Sequence, residues 1–156
     1  MKKLFFFFTF LVGLGISSSV YAQSVEEVKL TSANTLASKL GADVGKVRTL
    51  KVNGPLGAED FKTMKEQMAM LQVLDMSGVT ELPKTAYWNE SVREELQSIP
   101  REAFQNKLTL QKVVFPSVLQ RIDDYAFNGC SNLTEVDFSQ AAQLKQIRNY
   151  AFEECS

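Results

Sequence analysis

The 156-residue sequence predicts an α/β repeat fold: a solenoid with a parallel β-sheet on one face and short helices on the other, after a small helical N-terminal cap. Three observations predict it. The pattern Ile-x-x-x-Ala-Phe begins at Ile99, Ile122 and Ile147, a period of about 24 residues. A second line, Leu110-Gln-Lys-Val113-Val-Phe115, recurs as Leu133-Thr-Glu-Val136-Asp-Phe138. Upstream, Val47-Arg-Thr-Leu50-Lys-Val52-Asn53-Gly54 recurs one such period later as Leu71-Gln-Val-Leu74-Asp-Met76-Ser77-Gly78. Apolar residues at fixed phases of such a period mark coils that bury their inner sides only by stacking on one another.

Residues 1–22 stand apart as a secretory signal peptide. Lys2 and Lys3 form a positive start, Leu4 to Ile16 is an apolar run, and Ser17 to Ala22 ends with small residues at a cleavage site before Gln23. The run is shorter than the ~20 residues of a membrane-spanning helix. No cysteine follows it, which disfavours a lipid-anchored start. Without Lys2 and Lys3 the mature chain has 15 basic and 18 acidic residues, a net charge of −3. It has no basic stripe for nucleic acid, and no membrane span is expected in it. Histidine is absent, which excludes His-based triads and His metal sites and removes the commonest general base.

Residues 23–46 read as the cap. Val25, Val28 and Leu30, then Leu36 and Leu40, are spaced as in one or two short amphipathic helices, and Thr35 to Leu40 is the better helix, closed by Gly41. Residues 47–98 hold the first coils, with strands around Leu50 and Leu74. Between them Phe61, Met64, Met68 and Leu71 form a helical stripe over Glu59 to Gln72, with the methionines as core filler; Glu59 and Asp60 suit its N-terminal dipole. A strand–helix–strand of this length makes a parallel pair, so strands around Leu50, Leu74, Val113 and Val136 belong to successive coils ~4.8 Å apart. Residues 79–98 break the period: Leu71 and Leu110 hold the same phase but stand farther apart than one period. That insertion contains Tyr87, Trp88 and the charged run Arg93-Glu94-Glu95. It reads either as a surface loop on the binding face or as a cover over the join between two kinds of repeat. Residues 99–156 are the clearest repeats, the last one incomplete.

Two sets of residues are candidates for function. Cys130 and Cys155 share one phase, one period apart, which suits buried free thiols; a disulfide between stacked coils is the minority reading, and two soft ligands alone make no zinc site. Lys107, at the same phase, suggests a position near a rim. Outward-facing strand positions form the second set: Lys51, Asp75, Lys112, Val114, Glu135 and Asp137, with Thr49, Asn53, Val73, Ser77, Pro116 and Ser139 around them. Lys51 should lie beside Asp75 and Lys112 beside Glu135, and the Val114 strand should separate Asp75 from Asp137. Tyr125 and Tyr150 share a phase and should stack. No phosphate loop, nucleophile elbow, metal spacing or cofactor motif is present.

The unit Ile122-Asp-Asp-Tyr-Ala126-Phe127-Asn-Gly-Cys130-Ser-Asn-Leu133-Thr-Glu-Val136-Asp-Phe138 resembles the BspA-type leucine-rich repeat. Its consensus runs Ile-(x)3-Ala-Phe-x-x-Cys-x-x-Leu-x-x-Val-x-(aliphatic or aromatic)-Pro. Phe115-Pro116 keeps the terminal proline, Ser139 replaces it, and Lys107 departs at the cysteine phase. The resemblance covers about 99–156, and the coils before it are similar to the region preceding such repeats in secreted Bacteroidetes-type proteins. It implies a secreted or cell-surface leucine-rich-repeat solenoid that binds macromolecules, adhesin-like, with no catalytic residues to carry over. The expected function is therefore an exported binding module for proteins or surface polymers, of the extracellular matrix or of other cells. The alternatives are a structural spacer array with no ligand of its own and, least favoured, an enzyme. Ser156 falls where the next strand should begin, so the array is expected to continue in a longer protein.

Overall fold

The computed structural model describes residues 25–89 and 92–156; the signal-peptide segment lies outside them. A five-stranded sheet carries the coils: β1 (Val25–Lys29), β2 (Thr49–Pro55), β3 (Val73–Glu81), β6 (Lys112–Val114) and β8 (Glu135–Asp137), adjacent in that order. Every neighbouring pair is parallel. Leu50, Leu74, Val113 and Val136 stand in one register line, as their shared phase predicts. Period-2 alternation explains the strands: Leu50 and Val52 are buried and Leu74 and Met76 are buried, while the residues between them are half-buried.

A second sheet was not anticipated. It contains β4 (Lys84–Asn89), β5 (Val92–Ile99), β7 (Arg121–Ile122) and β9 (Gln146–Ile147) in that order. Ile99, Ile122 and Ile147 pair in parallel register across it, so the isoleucine phase is a ladder of very short strands. The insertion is a hairpin in which β4 and β5 pair antiparallel. Short helices back the sheet only in the first half: α1 (Leu36–Leu40), followed by a 3-10 turn at Gly41–Lys46, and α2 (Ala58–Glu66). In 99–156 turns take that place. Each of those coils bends through two left-handed positions at fixed phases, Glu102, Tyr125 and Tyr150 (φ 57° to 59°) and Asn106, Gly129 and Glu154 (φ 59° to 72°).

Two expected helices are corrected. Val25 to Leu30 is not helical: Val28 and Leu30 are buried on either side of exposed Lys29, a strand alternation, and Val28 pairs with Val52. The parallel edge of β2 supplies hydrogen bonds that an isolated turn of helix cannot match. The helix from Thr35 is present as α1 and closes at Gly41, φ 57°. α2 stops at Glu66, and Met68 and Leu71 are buried from the turn beyond it.

The core is continuous, from Val28 and Leu36 through Phe61, Met64 and Leu74 to Phe115 and Phe127. Phe104, Phe127 and Phe152 stack at 5.1 Å per step, and Phe115 stacks on Phe138 at 4.9 Å. Phe61 meets Phe104 edge-on at 5.9 Å, joining the helical coil to the turn-backed ones. Tyr125 and Tyr150 stack at 5.1 Å as expected, with the Arg101 guanidinium 5.4 Å from the Tyr125 ring centre.

Gly54 shows how closely the first coils approach. Its φ is 100°, and a Cβ there would lie 2.1 Å from the Leu30 carbonyl oxygen. Backbone cannot yield as a side-chain tip can. Gly54→Ala is expected to destabilise the fold by about 3 kcal/mol or more, read from the urea midpoint; an unchanged midpoint would contradict this contact.

Candidate binding face

The outward face of the five-stranded sheet brings together most of the predicted contact residues. One register row runs Glu27, Lys51, Asp75, Val114, Asp137, and the row beside it Val25, Thr49, Val73, Lys112, Glu135. Asp75 and Asp137 therefore flank Val114, two strand spacings or ~10 Å apart, and share no proton. Each carboxylate is fixed by its own turn: Asp75 Oδ1 accepts from the Ser77 backbone N–H at 2.8 Å, and Asp137 Oδ1 from that of Ser139 at 2.7 Å. The Ser139 N–H holds the Asp137 carboxyl below the usual carboxylate range.

The lysines are paired within the face. Lys112 Nζ donates to Glu135 Oε1, as the register predicts, and this bond raises the lysine's pKa. Lys51 stands in register beside Asp75, yet its ion pair is with Glu27 on the other side, at 3.9 Å. Exposed pairs of this kind are screened by solvent and set the charge pattern more than the stability. Charge thus alternates along the row from Glu27 through Lys51 to Asp75, and half-buried Val114 then separates Asp75 from the second carboxylate, Asp137. Pro116 is corrected: it is buried and does not join the face.

Tyr87 and Trp88 are not on this face. Their backbone lies in β4, paired with Glu94 and Arg93, and β4 belongs to the other sheet.

The cysteine phase is buried at Lys107 and Cys130 and partly buried at Cys155. Lys107 is corrected from a rim position: it is buried, and its Nζ donates to the carbonyls of Met68 at 2.9 Å and Lys65 at 3.2 Å. These carbonyls lie at the end of α2, where a helix leaves acceptors without intrahelical partners. Burial lowers the Lys107 pKa. Cys130 Sγ donates to the Phe104 carbonyl at 3.1 Å and Cys155 Sγ to that of Phe127 at 3.2 Å. The three residues share one task, donating to a carbonyl of an earlier coil or helix.

Both cysteines are free thiols, Cys130 buried and Cys155 partly so. Burial pushes Cys130 up to about 11 and raises Cys155 as well. With a pKa near 11, roughly one Cys130 in a thousand is thiolate at pH 8. A thiol reagent at that pH is expected to modify Cys155 first and Cys130 only on unfolding, checked by peptide mass mapping; equal rates would contradict the burial. The sign for stability follows. A pKa raised on folding stabilises fully below the ordinary value of 9.0, and this contribution is lost as pH rises through about 11.

Sequence reasoning passed over Arg121, the largest fully buried side chain among the described residues, 1 % exposed. The signal was available: Ser98, Arg121 and Gln146 hold one register line immediately before the isoleucines, and all three are polar.

These features define a class: an α/β repeat array with an interior of apolar rungs and an outward strand face of polar residues. Among the described residues no group of three or more Cys, Asp or Glu converges as a metal site, and no helix is long and apolar enough to cross a membrane. The family model described as BspA type leucine rich repeat region matches residues 77–156 in six copies. The chain belongs to this family. A solved leucine-rich repeat protein from Bacteroides ovatus is 23% identical over 49% of this chain and 25% of its own, at a TM-score of 0.28. This chain therefore spans a quarter of that protein's length, and the likeness adds no argument to the family match. No curated protein matches the chain.

Proposed function

We propose that the protein is an exported leucine-rich-repeat binding module, adhesin-like, and that it engages proteins or surface polymers through its outward strand face. The single observation behind this reading is the register row Lys51, Asp75, Val114, Asp137 with Lys112 and Glu135 beside it. Its carboxylates are held by turn N–H groups, so the face presents a preorganised pattern and orders little on binding. Export rests on the signal-peptide pattern of residues 1–22, and a stack of coils in a solenoid supplies the extended surface such modules use. Capture of a specific partner by residues 23–156 from matrix proteins and bacterial surface polymers is the expected result. Failure to retain any of them would favour a spacer array, and hydrolytic turnover by the purified chain would return an enzyme to consideration.

A further inference from the structure

The hairpin β4–β5 meets the coils through polar groups. Arg121 is enclosed, and its Nη2 donates to the Thr85 carbonyl at 2.6 Å and to Thr85 Oγ1. Thr85 Oγ1 donates to Asp123 Oδ2 at 2.7 Å and lies 2.6 Å from Ser98 Oγ. Since that hydroxyl spends its one proton on Asp123, Ser98 is the donor to it. Arg121 Nε lies 2.6 Å from Asp123 Oδ1. One threonine of the edge strand β4 is thereby joined to Ser98 in the other strand of its own hairpin and to two charged residues of the next coil, Arg121 in β7 and Asp123 just after it. The hairpin's base has two further ties: Ser98 N–H donates to the Pro83 carbonyl at 2.9 Å, and Leu82 N–H to Gln97 Oε1 at 3.0 Å.

The cluster is not a ligand site, because Arg121 and Ser98 have almost no exposure. Nor is it a fully satisfied core network. The Nε hydrogen of Arg121 has no aligned acceptor, and Gln146 Oε1, on the register partner of Arg121, is buried without a donor. A buried polar network that lacks part of its hydrogen bonds contributes less stability than a fully satisfied one. An apolar residue at position 121 would bury as well with no charge to neutralise, so the polar choice calls for a role beyond packing.

We infer that Arg121, Asp123, Thr85 and Ser98 form a clasp that positions the β4–β5 hairpin, and with it the Tyr87–Trp88 segment, against the repeat array. Arg121 is a positioning residue here: Nη2 donates to the Thr85 carbonyl and hydroxyl while Nε faces Asp123, so two nitrogens of one rigid plane serve two residues, which a lysine's single ammonium cannot reproduce. That the hairpin then meets a partner rests on the binding role proposed above.

The test is hydrogen exchange on the whole chain. Thr85→Val keeps the branched shape and removes the hydroxyl at the centre of the clasp. Amides of 84–89 and 92–97 are expected to exchange about tenfold faster or more, while those of β2, β3 and β6 keep their protection and the Tm stays in place. Arg121→Lys should give the same local pattern. Equal acceleration everywhere would make the cluster ordinary core, and unchanged hairpin exchange in both variants would remove the clasp altogether. Exchange needs no partner, so the two readings fail separately. Local opening with undiminished capture of the partner keeps the clasp and takes the hairpin out of the contact surface.

Discussion

Phe127→Ala is expected to cost about 4 kcal/mol of folding stability. The ring is fully buried and lies between Phe104 and Phe152, 5.1 Å from each and nearly parallel to both, with Phe115 edge-on at 5.8 Å. Its removal takes away the transfer energy of a whole aromatic side chain and leaves a cavity whose walls are two other rungs. Those walls are fixed at the coil spacing by the strand ladders, so they cannot close in. Phe152→Ala should cost about half as much, because that ring is partly exposed and has one stacked neighbour. Urea unfolding of the two variants checks the contrast. Equal costs would mean that the rungs do not support one another.

Asp60→Ala should have an effect of similar size, about 3–4 kcal/mol. Asp60 is buried at the first turn of α2, and its carboxylate accepts three backbone N–H groups: Asn34 at 2.6 Å, Leu36 at 2.9 Å and Gly57 at 2.8 Å. One side chain therefore caps α2, holds the approach to α1 and joins the first coil to the next. Alanine would leave the Leu36 and Gly57 donors buried without a partner, and the part-buried Asn34 donor to water. Asp60→Asn keeps one acceptor oxygen but turns an amide N–H2 toward another donor, so about half the loss is expected. If both variants unfold at the wild-type midpoint, these N–H groups find other partners and the junction is not where the structure puts it.

How far the fold was legible follows from what each signal encodes. The strands around Leu50, Leu74, Val113 and Val136 could be read because one face of each is buried, and burial imprints a period of two and a shared phase. The lysine–glutamate pair at 112 and 135 came with that register. The second sheet could not be read in the same way. Its strands β7 and β9 are too short for any alternation, and only the isoleucine phase marked them. Val25 to Leu30 misled because Val25 and Val28 are three apart, a helical interval, while the burial that matters is Val28 and Leu30. Left-handed turns gave no warning either: of the six positions at those two phases only Gly129 is glycine, and the others are Glu, Tyr and Asn.

The candidate site was legible as a set of outward strand positions but not as a charge pattern. Register places Lys51 beside both Glu27 and Asp75, and the choice of Glu27 depends on β1, which the sequence reading had made a helix. Lys107 looked like a rim residue because lysine is rarely buried. Its place is explained only by the end of α2, far earlier in the chain and adjacent in space. Arg121 escaped notice for the same reason, since its partner Thr85 lies in the insertion.

The most direct test of the account is the affinity of the captured partner for a chain in which Lys51, Asp75 and Asp137 are all replaced by alanine, with the Tm as control for folding. A contact surface centred on these residues predicts a loss of about a hundredfold or more, the scale of two or three interface residues of ~1–2 kcal/mol each, with the Tm within a few degrees of wild type. Undiminished affinity in the folded variant would contradict the strand face as the binding surface and leave the array as a scaffold that presents something else.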